Sequence, residues 1–225
     1  MKIRFLKFIL TALISASCTI TGTLYEDAIS PQPLDDAPPQ MTLTSNKSGD
    51  VTLLISGSGD VTVDWGAAGA TVETLTVFNN TSFTRRYSSS ISRTITISGK
   101  NITRLTCSNN QITSIDVSEI TTLTHLLCSG NELTGLLDLS KNIHLITLIC
   151  SENNLTGLNV VGCNALATLN CSFNNMNAAA LDALLLSLHD NVIAVGKMVL
   201  INDNPGTEAC QNKVIAVDNG WEVID

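Results

Sequence analysis

The chain has 225 residues, enough for one or two domains, and a formal net charge of −8 at pH 7. This charge argues against nucleic acids and anionic membrane surfaces as partners, because both repel an acidic protein. Charged residues make up only 14% and aromatic residues 4% of the chain, whereas Thr, Ser and Asn are abundant. Such a composition favours a β-rich secreted protein.

The first 17 residues have the layout of a secretory signal peptide. Three basic residues come first, an apolar run over 8–14 follows, and small residues lead up to Cys18. The apolar run is shorter than the roughly 20 residues that span a bilayer, so we expect residues 1–17 to be cleaved.

Ser15-Ala16-Ser17-Cys18 resembles a lipobox. The resemblance implies lipidation of Cys18 in an exported lipoprotein of the cell surface or outer membrane, which would touch the membrane only through this anchor. Ordinary cleavage, giving a periplasmic or secreted protein, is the alternative. Residues 18–40 carry four prolines and four acidic residues with little apolar periodicity, which is typical of a tether.

Residues 41–98 consist of short segments with alternating apolar residues. Turn residues such as Ser48-Gly49-Asp50 and Gly57-Ser58-Gly59-Asp60 separate these segments. The pattern predicts six strands in an antiparallel β-sandwich, with Val61 and Val63 on the same face as Trp65.

The VDWG turn at 63–66 and the later strand around TITI (94–97) resemble a PKD-type immunoglobulin-like domain. No linker separates this region from the one that follows. We therefore expect its last strand, Thr94 to Ser98, to cover the first edge of the next module, which would otherwise be open.

Residues 102–176 repeat one pattern four times. The units read ITRLTCSNNQI, LTHLLCSGNEL, LITLICSENNL and LATLNCSFNNM, and their cysteines lie 21, 22 and 21 residues apart. Each unit fits L-x-x-L-x-L-x-x-N-x-L, with Cys in the third apolar position. A single unit cannot bury its apolar row alone, so we expect the units to stack their strands in a parallel sheet. The asparagines should form a buried ladder that hydrogen-bonds the turn backbone.

The repeats resemble the internalin-like leucine-rich repeats of bacterial cell-surface proteins, over roughly residues 100–225. The resemblance implies a curved solenoid with a binding face, usually for a protein or a glycan. The predicted fold is therefore mixed β/α. An antiparallel β-sandwich (41–98) runs directly into a short leucine-rich-repeat solenoid (99–225) with a parallel sheet and a helical C-terminal cap.

The C-terminal region contains the elements expected to close the solenoid. Val199, Ile201 and Asn204 fit the positions of a fifth unit. An amphipathic helix is predicted after Asn177, its candidate N-cap. Thr207 is the candidate cap of a second helix, and residues 221–224 form the last predicted strand.

The cysteine row does not predict a metal site. Equivalent positions on neighbouring strands lie about 4.8 Å apart, so the first and last of the four cysteines are about 14 Å apart. Zinc needs its ligands at about 2.3 Å around one ion. We expect these cysteines to pack in the core. No catalytic set, phosphate loop or paired carboxylates can be assembled, which predicts a non-enzymatic protein without cofactor or metal.

The remaining candidate is the concave face, where residues that alternate with the core pair point outward. Three aliphatic residues in one outward column predict an apolar patch for a protein or glycan ligand. The proposed ligand-binding residues are Arg104, Thr106, His125, Leu127, Ile149, Glu152, Asn170, Phe173, Met198 and Leu200. Alternatives are a structural spacer of the cell envelope, an accessory subunit of a glycan-processing system, or scattered apolar residues without function.

Overall fold

The computed structural model describes residues 37–66, 72–192 and 196–225. The described residues lie almost wholly within one compact unit, Pro38–Asp225. They are mostly β-sheet, with two helices among them, and twelve of their strands join in one large mixed sheet.

The first seven strands are β1 (Gln40–Ser45), β2 (Gly49–Asp64), β3 (Val72–Val77), β4 (Thr81–Tyr87), β5 (Arg93–Ser98), β6 (Asn101–Thr106) and β7 (Ile112–Asp116). The remaining elements are β8 (His125–Leu127), β9 (Thr134–Asp138), β10 (Thr147–Ile149), β11 (Asn154–Asn159), β12 (Thr168–Asn170), α1 (Ala178–Ser187), β13 (Lys197–Leu200), α2 (Lys213–Asp218) and β14 (Trp221–Ile224). We call β1–β5 the N-terminal module. The parallel strands β6, β8, β10, β12, β13 and β14 are the repeat stack.

The N-terminal module contains five strands among its described residues, not the predicted six. The predicted turn at Gly57 to Asp60 is wrong, because β2 runs through it as one 16-residue strand. Its residues 49–58 pair with β4 and β6, whereas residues 59–64 pair with β3 and β5. Gly57 and Gly59 allow the strand to continue through a β-bulge instead of reversing its direction. A Cβ on Gly57 would lie 2.2 Å from the Asn101 carbonyl oxygen, and Gly59 has a φ of +85°.

The first strand of the repeat stack is covered by β2, so the prediction that Thr94–Ser98 covers it is wrong. β6 pairs antiparallel with the stretch Leu54–Ser58 of β2. β5, which contains Thr94–Ser98, lies between β1 and β2 and has no free edge for β6. A second connection joins β1 to β7 in antiparallel register.

The repeat stack has the predicted parallel register. Leu105, Leu126, Leu148, Leu169 and Val199 are aligned across successive strands and are fully buried. The four cysteines of the row are also fully buried. The core continues into the N-terminal module, where Val61, Val63 and Trp65 lie on one buried face as predicted.

The buried asparagine ladder is confirmed. Asn131 shows the geometry of each rung: its Nδ2 donates to the carbonyl of Cys128 in its own unit (2.8 Å) and of Cys107 in the preceding unit (3.1 Å). Its Oδ1 accepts from the backbone N–H groups of Asn110 and Ile112. At the later rungs, which are Asn153, Asn174 and Asn204, the Nδ2 makes the same two bonds and the Oδ1 accepts from one backbone N–H. Each amide thus satisfies backbone groups that the tight turns leave unpaired.

The C-terminal elements follow the prediction except at Thr207. Asn177 caps α1 by accepting from Ala180 N at 2.9 Å, and β13 and β14 extend the parallel stack. The second helix begins at Lys213, so Thr207 is not its cap. The Thr207 hydroxyl instead donates to Ile201 O (2.8 Å) and accepts from Asn204 N (3.2 Å).

Candidate binding surface

The strand register brings the predicted ligand-binding residues onto one face of the repeat stack. Thr106, Leu127, Ile149, Asn170 and Leu200 are direct partners on successive strands and form what we call the central column. A second column lies two residues earlier and contains Arg104, His125, Thr147, Thr168 and Met198. All ten side chains are half-buried, as expected for neighbours on the surface of a sheet.

The central column extends beyond the repeats, which the repeat pattern did not predict. Thr106 is the partner of Leu54 in β2, and Leu54 is the partner of Ser82 in β4. At the other end Leu200 is the partner of Ile224 in β14. The column therefore crosses eight strands, or about 34 Å at the usual strand spacing. A signal was present in the sequence, because Leu54 is an apolar residue at an outward position between the core residues Leu53 and Ile55.

The turn at the end of each strand supplies a third column of residues with left-handed backbone. Its members are Asn109, Gly130, Glu152, Phe173 and Asp203, with φ between +52° and +64°. This conformation is uncommon for a bulky residue such as Phe173, whose side chain is 51% exposed. Its N–H donates to Asn202 O and its carbonyl accepts from Asn153 N, so the ladder holds the turn in place. The fold thus presents an aromatic ring at the rim of the face.

Charged groups are confined to the margins of the face. Arg104 and His125 are neighbours near its N-terminal end, and Glu152 and Asp203 lie in the turn column. Burial, followed by the positive charge of Arg104, lowers the pKa of His125 below its ordinary value. The imidazole Nδ1 lies 2.8 Å from the Thr124 hydroxyl. His125 is therefore neutral at neutral pH, and the centre of the face is uncharged.

The cysteines are placed for packing. All six cysteines among the described residues are free and buried, including Cys163 and Cys210. Burial raises the pKa of Cys128 and of Cys171 to about 12, so these thiols are not ionised at neutral pH and are poor nucleophiles. Within residues 37–66, 72–192 and 196–225, no three His, Cys, Asp or Glu side chains are grouped so that they could hold a metal ion.

Cys18, the proposed lipidation site, lies outside the described residues, as do the signal peptide and most of the tether. In the part of the chain that is described, no helix combines the length and apolar character needed to cross a membrane.

No family model matches the chain, and no curated protein matches it either.

Proposed function

We propose that this protein is a non-enzymatic binding module displayed outside the cell, built as a leucine-rich-repeat solenoid behind an immunoglobulin-like β-sandwich. Support for the solenoid comes from the parallel register of the repeat units and from the asparagine ladder. Its ligand is a protein or a glycan that lies on the concave face. Export, with an anchor at Cys18, rests on the sequence of residues 1–18 alone.

One observation carries the binding proposal: the uncharged, largely aliphatic central column that crosses eight strands. Five of its eight members are aliphatic, and they are Leu54, Leu127, Ile149, Leu200 and Ile224. Apolar residues grouped along one column are more typical of an interaction site than isolated apolar residues are. Aliphatic side chains rather than aromatic rings fill the column, which favours a protein over a glycan as the ligand.

The test is a double substitution in the middle of the column, Leu127→Asp with Ile149→Asp. A panel of purified extracellular proteins and glycans is screened for binding to the wild type and to this variant. Binding should be lost in the variant, because two carboxylates would be buried against an apolar surface. The free energy of unfolding should fall by about 2 kcal/mol, because both side chains are half-buried and the two carboxylates would lie opposite each other on neighbouring strands, so folding of the variant is verified before binding is compared.

The matched control is Leu136→Asp with Val161→Asp, which changes two exposed aliphatic residues away from the central column. This control should bind as the wild type does. A Leu127/Ile149 variant that folds and still binds would place the site elsewhere. If the wild type binds nothing in the panel, the spacer of the cell envelope becomes the better proposal.

The anchor is tested separately, by metabolic labelling with a fatty acid. The wild type should be labelled and Cys18→Ala should not, because the lipid attaches to the cysteine sulfur. An unlabelled wild type in the soluble fraction would contradict the anchor and leave ordinary export.

A further inference from the structure

Arg104 carries a positive charge on the same face as the central column. It lies two residues before Thr106 on β6, which places it about 7 Å from that column along the strand. The residue is half-buried, and its partners in the strand register are Ser56 of β2 and His125 of β8. Among the residues that the structure describes, the Arg104 side chain has no hydrogen-bond acceptor and no carboxylate partner.

A ligand on the central column also takes Arg104 out of water. Arg104 and the column are neighbours on one surface, so a partner broad enough to contact both Thr106 and Leu127 covers the guanidinium as well. Burying a charge without an opposite charge is costly, whereas a carboxylate placed against a guanidinium forms strong, paired hydrogen bonds. The surface therefore selects for a ligand that brings negative charge to this position.

The carboxylates of the face lie away from Arg104. Glu222 of β14 is the register partner of Met198, at the other end of the second column. It lies five strands from Arg104, or about 24 Å. Glu152 and Asp203 belong to the third column, in the turns that follow the strands. The face is thus positive at its N-terminal end and negative at its C-terminal end, which fixes where an acidic group of the ligand can lie.

His125 has a ring nitrogen available for the same group. The Thr124 hydroxyl donates to Thr103 O at 2.8 Å, which uses its only proton. The 2.8 Å contact between Thr124 Oγ1 and His125 Nδ1 therefore requires the ring to donate from Nδ1. In the neutral ring Nε2 then has no proton and is an acceptor. Protonation of Nε2 would create a second positive donor beside Arg104.

Arg104 is the charged group that acts on His125. Of the elements around the ring, β6 places Arg104 beside it, β10 places Thr147 there, and the preceding turn supplies Thr124. Burial, followed by the charge of Arg104, lowers the pKa of His125 in the free protein. A carboxylate bound next to both side chains would act in the opposite direction and raise this pKa.

We propose that Arg104 and His125 form a carboxylate site for a protein ligand, whose Asp or Glu side chain lies next to the aliphatic residues that cover the central column. This inference rests on the proposed function, because it names the chemistry of the ligand at the same surface. Arg104 binds the carboxylate through its planar donors, and protonated His125 adds a hydrogen bond from Nε2. Binding then takes up a proton at His125, so the affinity rises as the pH falls from about 8 to about 6.

The probe is a library of random peptides displayed on phage, selected on the immobilised protein at a pH of about 6. Peptides selected on the wild type should combine Asp or Glu with Leu, Ile or Val. The enrichment of acidic residues should disappear on Arg104→Gln and persist on the matched control Lys141→Gln, which removes an exposed positive charge between β9 and β10. Non-specific attraction does not explain such enrichment, because a chain with a net charge of −8 repels acidic peptides.

The affinity of the most enriched acidic peptide is then measured in solution, after circular dichroism has verified that each variant folds. Arg104→Gln should weaken binding about tenfold, the change expected for the loss of one hydrogen bond to a charged group. Replacing the acidic residue of the peptide by its amide should weaken binding to the wild type by the same factor and leave binding to Arg104→Gln unchanged. His125→Gln should abolish the rise in affinity between pH values of about 8 and about 6.

The outcomes separate this inference from the proposed function. Peptides without acidic residues that bind Arg104→Gln as they bind the wild type, and fail to bind the Leu127→Asp/Ile149→Asp variant, overturn the carboxylate site alone. Peptides that bind this double variant as they bind the wild type overturn both proposals. If no peptide is enriched but alginate, a glycan of uronic acids, binds the wild type and not Arg104→Gln, the site takes an acidic glycan and the inference of a protein ligand is wrong.

Discussion

The two ends of the repeat stack are closed by different chemistry. At the N-terminal end, β6 pairs with β2, and the first asparagine of the ladder reaches the β2 backbone. The Asn110 Nδ2 donates to Thr52 O (2.8 Å), and the Thr52 N–H donates to Asn110 Oδ1 (3.1 Å). At the C-terminal end, a side-chain hydroxyl replaces the next asparagine. Thr207 accepts from Asn204 N and donates to Ile201 O, which are the roles that Asn131 plays toward Asn110 and Cys107.

The difference extends to the strand edges. Both β6 and β7 of the first unit are paired with strands of the N-terminal module. β14 pairs with β13 alone among the described residues. Each repeat unit is stabilised by contacts with the unit on either side. A terminal unit lacks one of these units and must find a replacement partner outside the repeats. The N-terminal module supplies a backbone neighbour, whereas the C-terminal region supplies a local turn.

The largest expected effect on stability comes from removing the amide that joins the two modules. Asn110→Ala should lower the free energy of unfolding by about 3 kcal/mol or more, because buried backbone groups on both sides lose their partner. Asn204→Ala should cost less and should act locally. In hydrogen exchange, Asn204→Ala should lose protection mainly over residues 197–225, whereas Asn110→Ala should lower protection throughout.

The control for both variants is Asn175→Ala, which truncates an exposed asparagine of the same region. Its effect should stay within about 0.5 kcal/mol. If Asn204→Ala destabilised the protein as globally as Asn110→Ala, the two ends would be equally important and the comparison would fail.

A smaller effect is expected from Thr207→Val, which removes the hydroxyl and nearly preserves the shape of the side chain. Urea unfolding should show a loss of about 1–2 kcal/mol, since the buried Asn204 N–H loses its acceptor. Thr207→Ser keeps the hydroxyl and should cost less than Thr207→Val. The reverse order would mean that the methyl group, through packing, matters more than the hydrogen bonds that close the ladder.

Local and periodic features were predictable from the sequence. The spacing of the cysteines and asparagines predicted the parallel register, the buried core columns, the ladder and the fifth unit at Val199 to Asn204. The cap at Asn177 was predictable because an N-cap depends on contacts within three residues along the chain. The outward columns followed from the same register, since side chains alternate along a strand. Whether those columns bind a ligand stays a prediction.

Contacts between distant segments were decided by the tertiary structure. Gly57 to Asp60 has the composition of a turn, but pairing with β6 at Gly57 and Ser58 and with β3 at Gly59 and Asp60 holds β2 as one strand. Thr207 precedes a helical segment, but its hydroxyl makes the hydrogen bonds to Asn204 N and Ile201 O that a further asparagine of the ladder would make.

The sequence of this protein determined the interior of the repeat stack and left the contacts at its two ends open. A repeated pattern places each residue relative to the equivalent residue of the next unit, so the interior of the stack could be derived residue by residue. At its ends the pattern stops, and long-range pairing decides which strand, side chain or cluster of charges comes into contact. Asn110 meets the Thr52 backbone only because β2 pairs with β6, a relation that no local pattern in the chain contains.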